Sequence, residues 1–533
     1  TMQSTVSIDR VGRRCDVLLR WPFSLNLRCR PERILRFLDS NKCEQLIAPQ
    51  AHVASGLSEP CVPADSWYAS SNPNPRHVKS VKVARLEEGK GRGLIATHDI
   101  ALGEVVMATP PLVLVTSPLR QRPSGELIVD EIIERKLYGS AWFSVLYDGS
   151  SRSSMAEFQL APADRARNGS QSLISEPVDA LRHARPPEPV VVSTSTTVAA
   201  ASAASPAKKK GFLASRSSAA RRGTGSAVAA ASADRPGSAI PEALPLPNRR
   251  EQTRLAKVVK FNCFGDDTED LAACECRGEQ PRGHIGLWPE FALFNHSCAP
   301  NTSNYVIGDS MVVRACRPIK TGEEVTICYL GRPQLLPFSR RISILSDDYG
   351  FECSCTRCTA EQAHFEKVED VYMELFEDVN EKLGPAFEEA RVAGDLEAIG
   401  EVQRKVQSWL RRLYGLFRKT LLAPDVRHYV IASLYDAYDL LFSCVGALGQ
   451  GEDASSLQAS LKAIEAVSAG SDLHVLLAVR HLDCTVQQHG QDSALASLAR
   501  KALRRAHIAR YGPVSEELMS KLIALNRKFH VQY

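Results

Sequence analysis

At 533 residues the chain is too long for one ordinary domain, and its 44% hydrophobic content can fill a sizeable core. A net charge of +4 over that length gives no concentrated basic face, which argues against direct nucleic-acid binding. No run of about 18 apolar residues occurs, so neither a transmembrane helix nor a membrane partner is expected. The 15 cysteines follow no apolar signal peptide, which points to a reducing compartment with some thiols on metal rather than a disulfide scaffold.

Residues 1–79 carry no readable motif, and Cys15, Cys29, Cys43 and Cys61 lack C-x2-C spacing. The Arg-rich first 36 residues read either as an organelle transit peptide or as a start without structure. From Val81, VKVARLEEGKGRGLIATHDIALGEVVMATPPLVLV alternates β-rich runs with glycine and charged turns, which predicts a meander of strands. Leu127, Ile128, Ile132, Ile133 and Leu137 then fall at helical spacing.

Residues of about 150–250 are rich in Ser, Ala, Pro, Arg and Lys, with too few large apolar groups to offset ordering entropy, and read as a disordered insert. The Lys208–Lys210 and Arg221–Arg222 clusters within it read as a solvated basic linker ahead of a nuclear-import signal. Order is expected again from near Leu255 to about Thr359, and this stretch reads as β-rich. Beyond it the chain turns helical to its last residues. One stripe holds Phe365, Val368, Val371, Tyr372, Leu375, Phe376, Val379 and Leu383, another Val402, Val406, Trp409, Leu410, Leu413, Tyr414 and Phe417. Each stripe reads as helix-to-helix core, and the pairing suggests tetratricopeptide-like hairpins. The expected division is an unassigned 1–79, a β-rich unit over 80–359 broken by the insert, and an all-α unit over 360–533.

The segment from Gly286 to Pro333, followed by DDYGFECSCTRC, carries the chemistry. Cys353, Cys355 and Cys358 put three thiolates in one tight turn. Structural zinc (Zn2+) takes four ligands, and Cys298 in Asn295-His296-Ser297-Cys298 is the best candidate for the fourth.

NHSC-x-PN, then GEEVTICY, then Y-x-FEC-x-C-x2-C resembles the SET-domain lysine methyltransferases, closest to the SET-and-MYND branch. KGRGL at Lys90–Leu94 looks like the amino-terminal half of the same domain. The resemblance covers roughly 81–148 and 255–359, and more loosely the helical tail. It implies an α+β fold in which a β-rich SET domain has a threaded C-terminal segment and a zinc-bound post-SET motif, ahead of the all-α tetratricopeptide-like domain.

It also implies roles. Lys90, Gly91, Arg92 and Gly93 would approach the methionine end of S-adenosylmethionine, where glycines leave room for backbone contact. Asn295 and His296 match the pair that holds this cofactor, Phe351 the aromatic stacked on adenine, and Tyr349 a second aromatic at that wall. Tyr329 matches the tyrosine at the reacting centre, and Asn262 and Phe264 sit where family members line the lysine channel. The implied reaction moves a methyl group from a sulfonium to a protein lysine ε-amine. Deprotonating a free lysine at neutral pH costs about 4–5 kcal/mol, and an apolar channel beside a positive sulfur lowers that barrier. Zinc on Cys298, Cys353, Cys355 and Cys358 would tie the Asn-His turn to the segment bearing Phe351.

The chain departs from that branch in one respect. The interval between its two SET halves has no cysteine from 116 to 262, so a MYND finger cannot form there. Cys263, Cys274, Cys276 and His284 have irregular spacing, which favours free thiols over a second metal site. The implied partner is a protein substrate, histone or non-histone, with the helical tail as a surface for partner proteins. The implied compartment is cytoplasm or nucleus, ahead of an organelle. The competing reading is a catalytically silent SET fold serving as an interaction scaffold through its helical half.

Overall fold

The structure, a computed structural model, describes residues 64–68, 77–86, 91–149, 244–420 and 422–532. The sequence expectations for Lys90, the transit segment and nearly all of the 150–250 insert fall outside those residues.

Three small sheets build the first half. One has the order β1 (His77–Val78), β4 (Val105–Thr109), β10 (Ser310–Ala315), β9 (Thr302–Ile307). The second runs β2 (Val81–Arg85), β3 (Arg92–Ala96), β11 (Glu324–Ile327), β8 (Asn295–His296). The third runs β5 (Val113–Ser117), β7 (Gly283–Leu287), β6 (Cys263–Asp266). β10 is buried at all six positions because neighbours flank it on both sides and apolar residues cover it, so its sequence is apolar rather than alternating. Within the expected meander the apolar run GEVVMATPPLVLV, residues 103–115, is cut into two strands at Pro110 and Pro111, which cannot donate to a ladder. Leu94, Val106, Met107, Met311, Val313 and Val325 close a core between the first two sheets, and Phe264 and Tyr329 pack against it.

Two stretches expected as strand or loop are helical. Arg249–Asn262 starts six residues before the predicted return of order, because Asn248 accepts from the Glu251 amide at 3.0 Å and the first turn is charged rather than apolar. Leu271–Arg277 turns the Cys274-Glu275-Cys276 stretch into a short helix, capped by Asp270 on the Ala273 amide at 2.7 Å and closed by Gly278 at φ 68°.

From Thr356 the chain is helical. Leu396–Thr420 packs on Tyr435–Ala447, and Ala454–Ser468, Asp472–His489 and Ala494–Tyr511 stack as antiparallel neighbours. Leu375, Val406, Leu413, Ala432, Cys444, Ile464 and Leu477 lie in one continuous core. Ser515 caps the last helix, Glu516–Gln532, as its position suggests, its Oγ accepting from the Leu518 amide at 3.3 Å. Among the described residues no single helix is long and apolar enough to cross a membrane. Pro424–Ala432 and Tyr435–Ala447 are so only together, as a pair bent by 64°.

The helical half docks tightly on the sheets. A Cβ on Gly103 (φ 81°) would lie 2.5 Å from the Ile508 carbonyl oxygen, and one on Gly470 (φ 76°) 2.7 Å from Ser303 Oγ. Across the same seam Arg510 Nε donates to Asp270 Oδ2 at 2.5 Å, and the Tyr305 hydroxyl donates to the Arg510 carbonyl at 2.6 Å. Sheet and helices therefore form one packed body at this seam.

Candidate active site and metal centre

The pairing of β8 with β11 is parallel, Asn295 opposite Thr326 and His296 opposite Ile327, whereas every other strand pairing described is antiparallel. It carries the chain after Ile327 alongside the Asn-His turn, so Tyr329 arrives beside His296. The Tyr329 amide donates to His296 Nδ1 at 3.0 Å, and the two rings lie 5.3 Å apart. Because Nδ1 accepts there, the ring proton is on Nε2, which faces Cys298 Sγ at 3.2 Å. The Tyr329 hydroxyl donates to the Phe294 carbonyl at 2.5 Å, and burial raises its pKa.

Asn295 ties three segments together. Its Nδ2 donates to the Arg92 carbonyl and to Glu324 Oε1, both at 3.0 Å. The glycine loop is thereby bound to β8 and β11 at once. Gly91 takes φ 71° with open space where a Cβ would stand, while a Cβ on Gly93 would sit 2.6 Å from Asn295 Nδ2. Arg92 Nη2 donates to the Val145 carbonyl at 2.5 Å, and its Nη1 is buried without a partner among the described residues.

Tyr349 and Phe351 complete an aromatic wall. Gly350, at φ 76°, turns the chain between them. The Tyr349 ring is 5.3 Å from Tyr329 and its hydroxyl donates to the Tyr329 carbonyl at 3.3 Å. Phe351 lies 6.0 Å from His296 and stands edge-on to Tyr329 at 6.5 Å. Phe264 joins this region through rings, 5.7 Å from Phe291, itself 5.9 Å from Phe294. Asn262 is placed differently. Its Nδ2 donates to the carbonyls of Val258 and Tyr147 at 2.8 and 2.7 Å, so this amide fastens the end of its helix.

Cys298, Cys353, Cys355 and Cys358 bring their sulfurs within 4.8 Å of one another. Tetrahedral zinc with Zn–S bonds of about 2.3 Å needs sulfurs roughly 3.8 Å apart, so the set fits that ion. Contact with Cys353 drives the Cys298 thiol far down, and Cys298 in turn pushes Cys353 and Cys358 up. Cys263, Cys274 and Cys276 join no comparable group among the described residues. Burial pushes Cys263 up to about 12, and Cys274 Sγ instead faces Glu269 Oε2 at 3.7 Å.

Glu324, Phe294 and Asn301 are residues of the site that the sequence left without roles. Asn301 Oδ1 accepts from the Thr326 amide at 2.8 Å and its Nδ2 donates to the Glu324 carbonyl at 2.8 Å, which fixes β11. Glu324 and Asn301 lie within motifs that the sequence displays, but which polar atom each would meet depends on the threading. Phe294 acts through a carbonyl, which leaves no mark in its side chain.

Comparison with known proteins gives the following. The model of the SET domain matches residues 91–330. Human "Histone-lysine N-methyltransferase SMYD3" is 45% identical over 83 residues, 16% of this chain and 19% of the relative. Human "N-lysine methyltransferase SMYD2" is 37% identical over 112 residues, 21% of this chain and 23% of the relative. "Potential protein lysine methyltransferase SET6" of Saccharomyces cerevisiae is 39% identical over 89 residues, 16% of this chain and 24% of the relative. The chain thus spans 19–24% of the length of these three relatives.

Proposed function

The chain is a SMYD-like SET-domain protein, and from that premise we propose that it is a protein-lysine methyltransferase using S-adenosylmethionine. The observation that carries this reading is Asn295. One amide holds the glycine loop, β8 and β11 together, so the motif residues converge instead of remaining scattered over 260 positions (Gly91 to Phe351).

The residues fit the cofactor. Nη1 of Arg92, buried without a partner among the described residues, leaves a cationic donor unmet, suited to a carboxylate. The open space over Gly91 admits ligand against backbone. Phe351 and Tyr349 offer flat apolar faces for a purine. S-adenosylmethionine, when bound, supplies a methyl group on a positively charged sulfur.

The chain's own residues would do the rest. Phe264 and Tyr329 would wall an apolar passage that disfavours the ammonium form of an entering lysine and excludes water. Tyr329 would orient the amine, its ring fixed by the Phe294 carbonyl and its backbone by His296. Little general-base machinery is required, since positioning supplies much of the rate. The four cysteines would hold zinc, which keeps the turn after His296 against the segment bearing Phe351. On this reading the substrate is a protein lysine and the compartment cytoplasm or nucleus.

The test is transfer of labelled methyl to proteins of a cell extract, with the full chain and with Tyr329→Phe. Labelling of discrete bands by the parent, reduced roughly 100-fold or more in the variant, supports the reading. If neither labels protein while both bind S-adenosylmethionine, the enzyme reading is lost and a scaffold role replaces it.

A further inference from the structure

The four-cysteine cluster is backed by charge. Arg341 and Arg357 are both 0% exposed and stand on the side of the cluster that faces the helical half. Arg357 Nη1 donates to the Cys298 carbonyl at 3.1 Å and the Gln334 carbonyl at 2.9 Å. Its Nη2 donates to Ser433 Oγ at 2.6 Å and its Nε to Glu361 Oε1 at 3.2 Å. Arg341 Nη2 lies 3.9 Å from Cys358 Sγ and pairs with Glu361, while its Nη1 reaches Ser433 Oγ at 3.3 Å. Gln334 Nε2 donates to the Cys298 carbonyl at 3.2 Å and also to the Val467 carbonyl. Ser433 joins the helices Pro424–Ala432 and Tyr435–Ala447, and Val467 belongs to Ala454–Ser468.

Two buried guanidinium groups share one carboxylate, which leaves one positive charge without a carboxylate partner. A desolvated charge of that kind is strongly unfavourable unless an anion stands beside it. Four thiolates around a divalent cation carry two surplus negative charges, and Arg341 is placed against one of those sulfurs. Packing alone would have been served as well by apolar side chains of the same volume.

We propose that Arg341, Arg357, Glu361, Gln334 and Ser433 are the outer shell of a zinc site, so that the helical half takes part in holding the metal. This rests on the four-cysteine reading above. The arginines are positioning residues. Arg341 offsets thiolate charge at Cys358, Arg357 and Gln334 anchor the backbone of Cys298, and Ser433 accepts from both guanidinium groups. Outer-shell partners of this type usually change metal affinity about 10–100-fold when removed.

The experiment measures zinc affinity of the full chain by competition with a chromophoric chelator, and the thermal midpoints of zinc-loaded and zinc-stripped protein. Arg341→Met is expected to bind zinc about 10–100-fold more weakly, and Ser433→Ala about tenfold, with the gap between the two midpoints narrowing in both. Arg332→Met, which removes an exposed partner of Asp436 at the same interface, is expected to leave zinc affinity unchanged. Unchanged affinity in both shell variants overturns the proposal. So does a parallel fall of the loaded and stripped midpoints, which is what a merely structural role produces. If Arg341→Met does not fold, Ser433→Ala decides alone. An unsubstituted chain that takes up no zinc overturns the four-cysteine reading itself, whatever the outcome of the methyl-transfer test.

Discussion

Replacing Gly93 with alanine probes the glycine loop at its tightest point. A Cβ there would stand 2.5 Å from Leu86 Cδ1 and 2.6 Å from Asn295 Nδ2, with Glu324 Oε1 at 3.3 Å. The backbone cannot slide away, because Gly93 is paired with Ala84 while Leu94 is paired with Val83 and Val325. The Leu86 methyl can rotate aside. The Asn295 amide cannot, without giving up a neutral bond to the Arg92 carbonyl and a charge-assisted one to Glu324. Those two bonds together contribute about 2–4 kcal/mol, and overpacking of a fixed strand adds strain of similar size if they are kept. Stability is therefore expected to fall by about 3 kcal/mol in urea unfolding, and affinity for S-adenosylmethionine in calorimetry at least tenfold. Gly91→Ala is the comparison. Nothing lies within 4 Å of its Cβ, so only the strain of φ 71° remains, about 1–2 kcal/mol. A Gly93→Ala protein with unchanged stability and cofactor affinity, or one less damaged than Gly91→Ala, would refute the reasoning.

Tyr329→Phe should lower stability by about 1–2 kcal/mol beside its effect on transfer, since it leaves the Phe294 carbonyl unsatisfied; urea unfolding without cofactor checks this. Asp270→Asn should destabilise by about 3 kcal/mol, because Arg510 is 4% exposed and would keep Asp472 as its one carboxylate partner among the described residues; Arg510→Met in the same background should recover part of that loss in thermal melts. His474 and His507 are buried, and burial pushes both down to about 4. His474 Nδ1 accepts from the Gly470 amide at 3.1 Å, an arrangement only an unprotonated nitrogen can make. Their folded pKa is depressed, so the unfolded chain binds more protons between about pH 4 and 6.5. Stability should thus be full above about pH 6.5 and fall toward pH 4 by roughly 1.4 kcal/mol per unit for each histidine. Urea midpoints at pH 7, 6 and 5 that do not move would contradict this.

Much of the candidate site is legible because its motifs are dense in residues with few other uses. Three cysteines in six positions, or Asn-His beside a cysteine, leave few bland explanations, and the four sulfurs do converge. What the sequence hid belongs to backbone and to long-range pairing. Asn262 is expected along the lysine channel, yet its amide is taken up by the carbonyls of Val258, one turn back in its own helix, and of Tyr147, a long-range partner that no local pattern announces. The start of the helix Arg249–Asn262 is hidden in the sequence, since its first turn is solvent-facing and charged. The Leu271–Arg277 helix does not show in the sequence because seven residues are too few for a periodic stripe, and only Asp270 and Gly278 mark its ends. Arg341 and Arg357 gave no sign at all. A buried arginine and a surface one read alike until the partner, here Glu361 some 4 and 20 positions away, is placed in space.

Those two arginines change how the halves of the chain relate. Tyr329 is held between residues 294 and 296 of a single short segment, its hydroxyl by the Phe294 carbonyl and its backbone amide by the His296 imidazole. The same imidazole faces Cys298, and the Cys298 carbonyl is gripped by Arg357 and Gln334, which reach Ser433 and Val467. From a helix-helix corner at Ser433 to the Tyr329 amide there are four contacts of 2.6, 3.1, 3.2 and 3.0 Å, none with slack on the order of a water molecule. A β8 of two residues has too little ladder of its own to hold that geometry. Its position is set instead by what grips it on either side, Asn295 against the glycine loop and, two residues past its end, Cys298 against Arg357 and Gln334. The helical half is therefore part of what keeps Tyr329 in place, and its docking bears on the reacting centre proposed there.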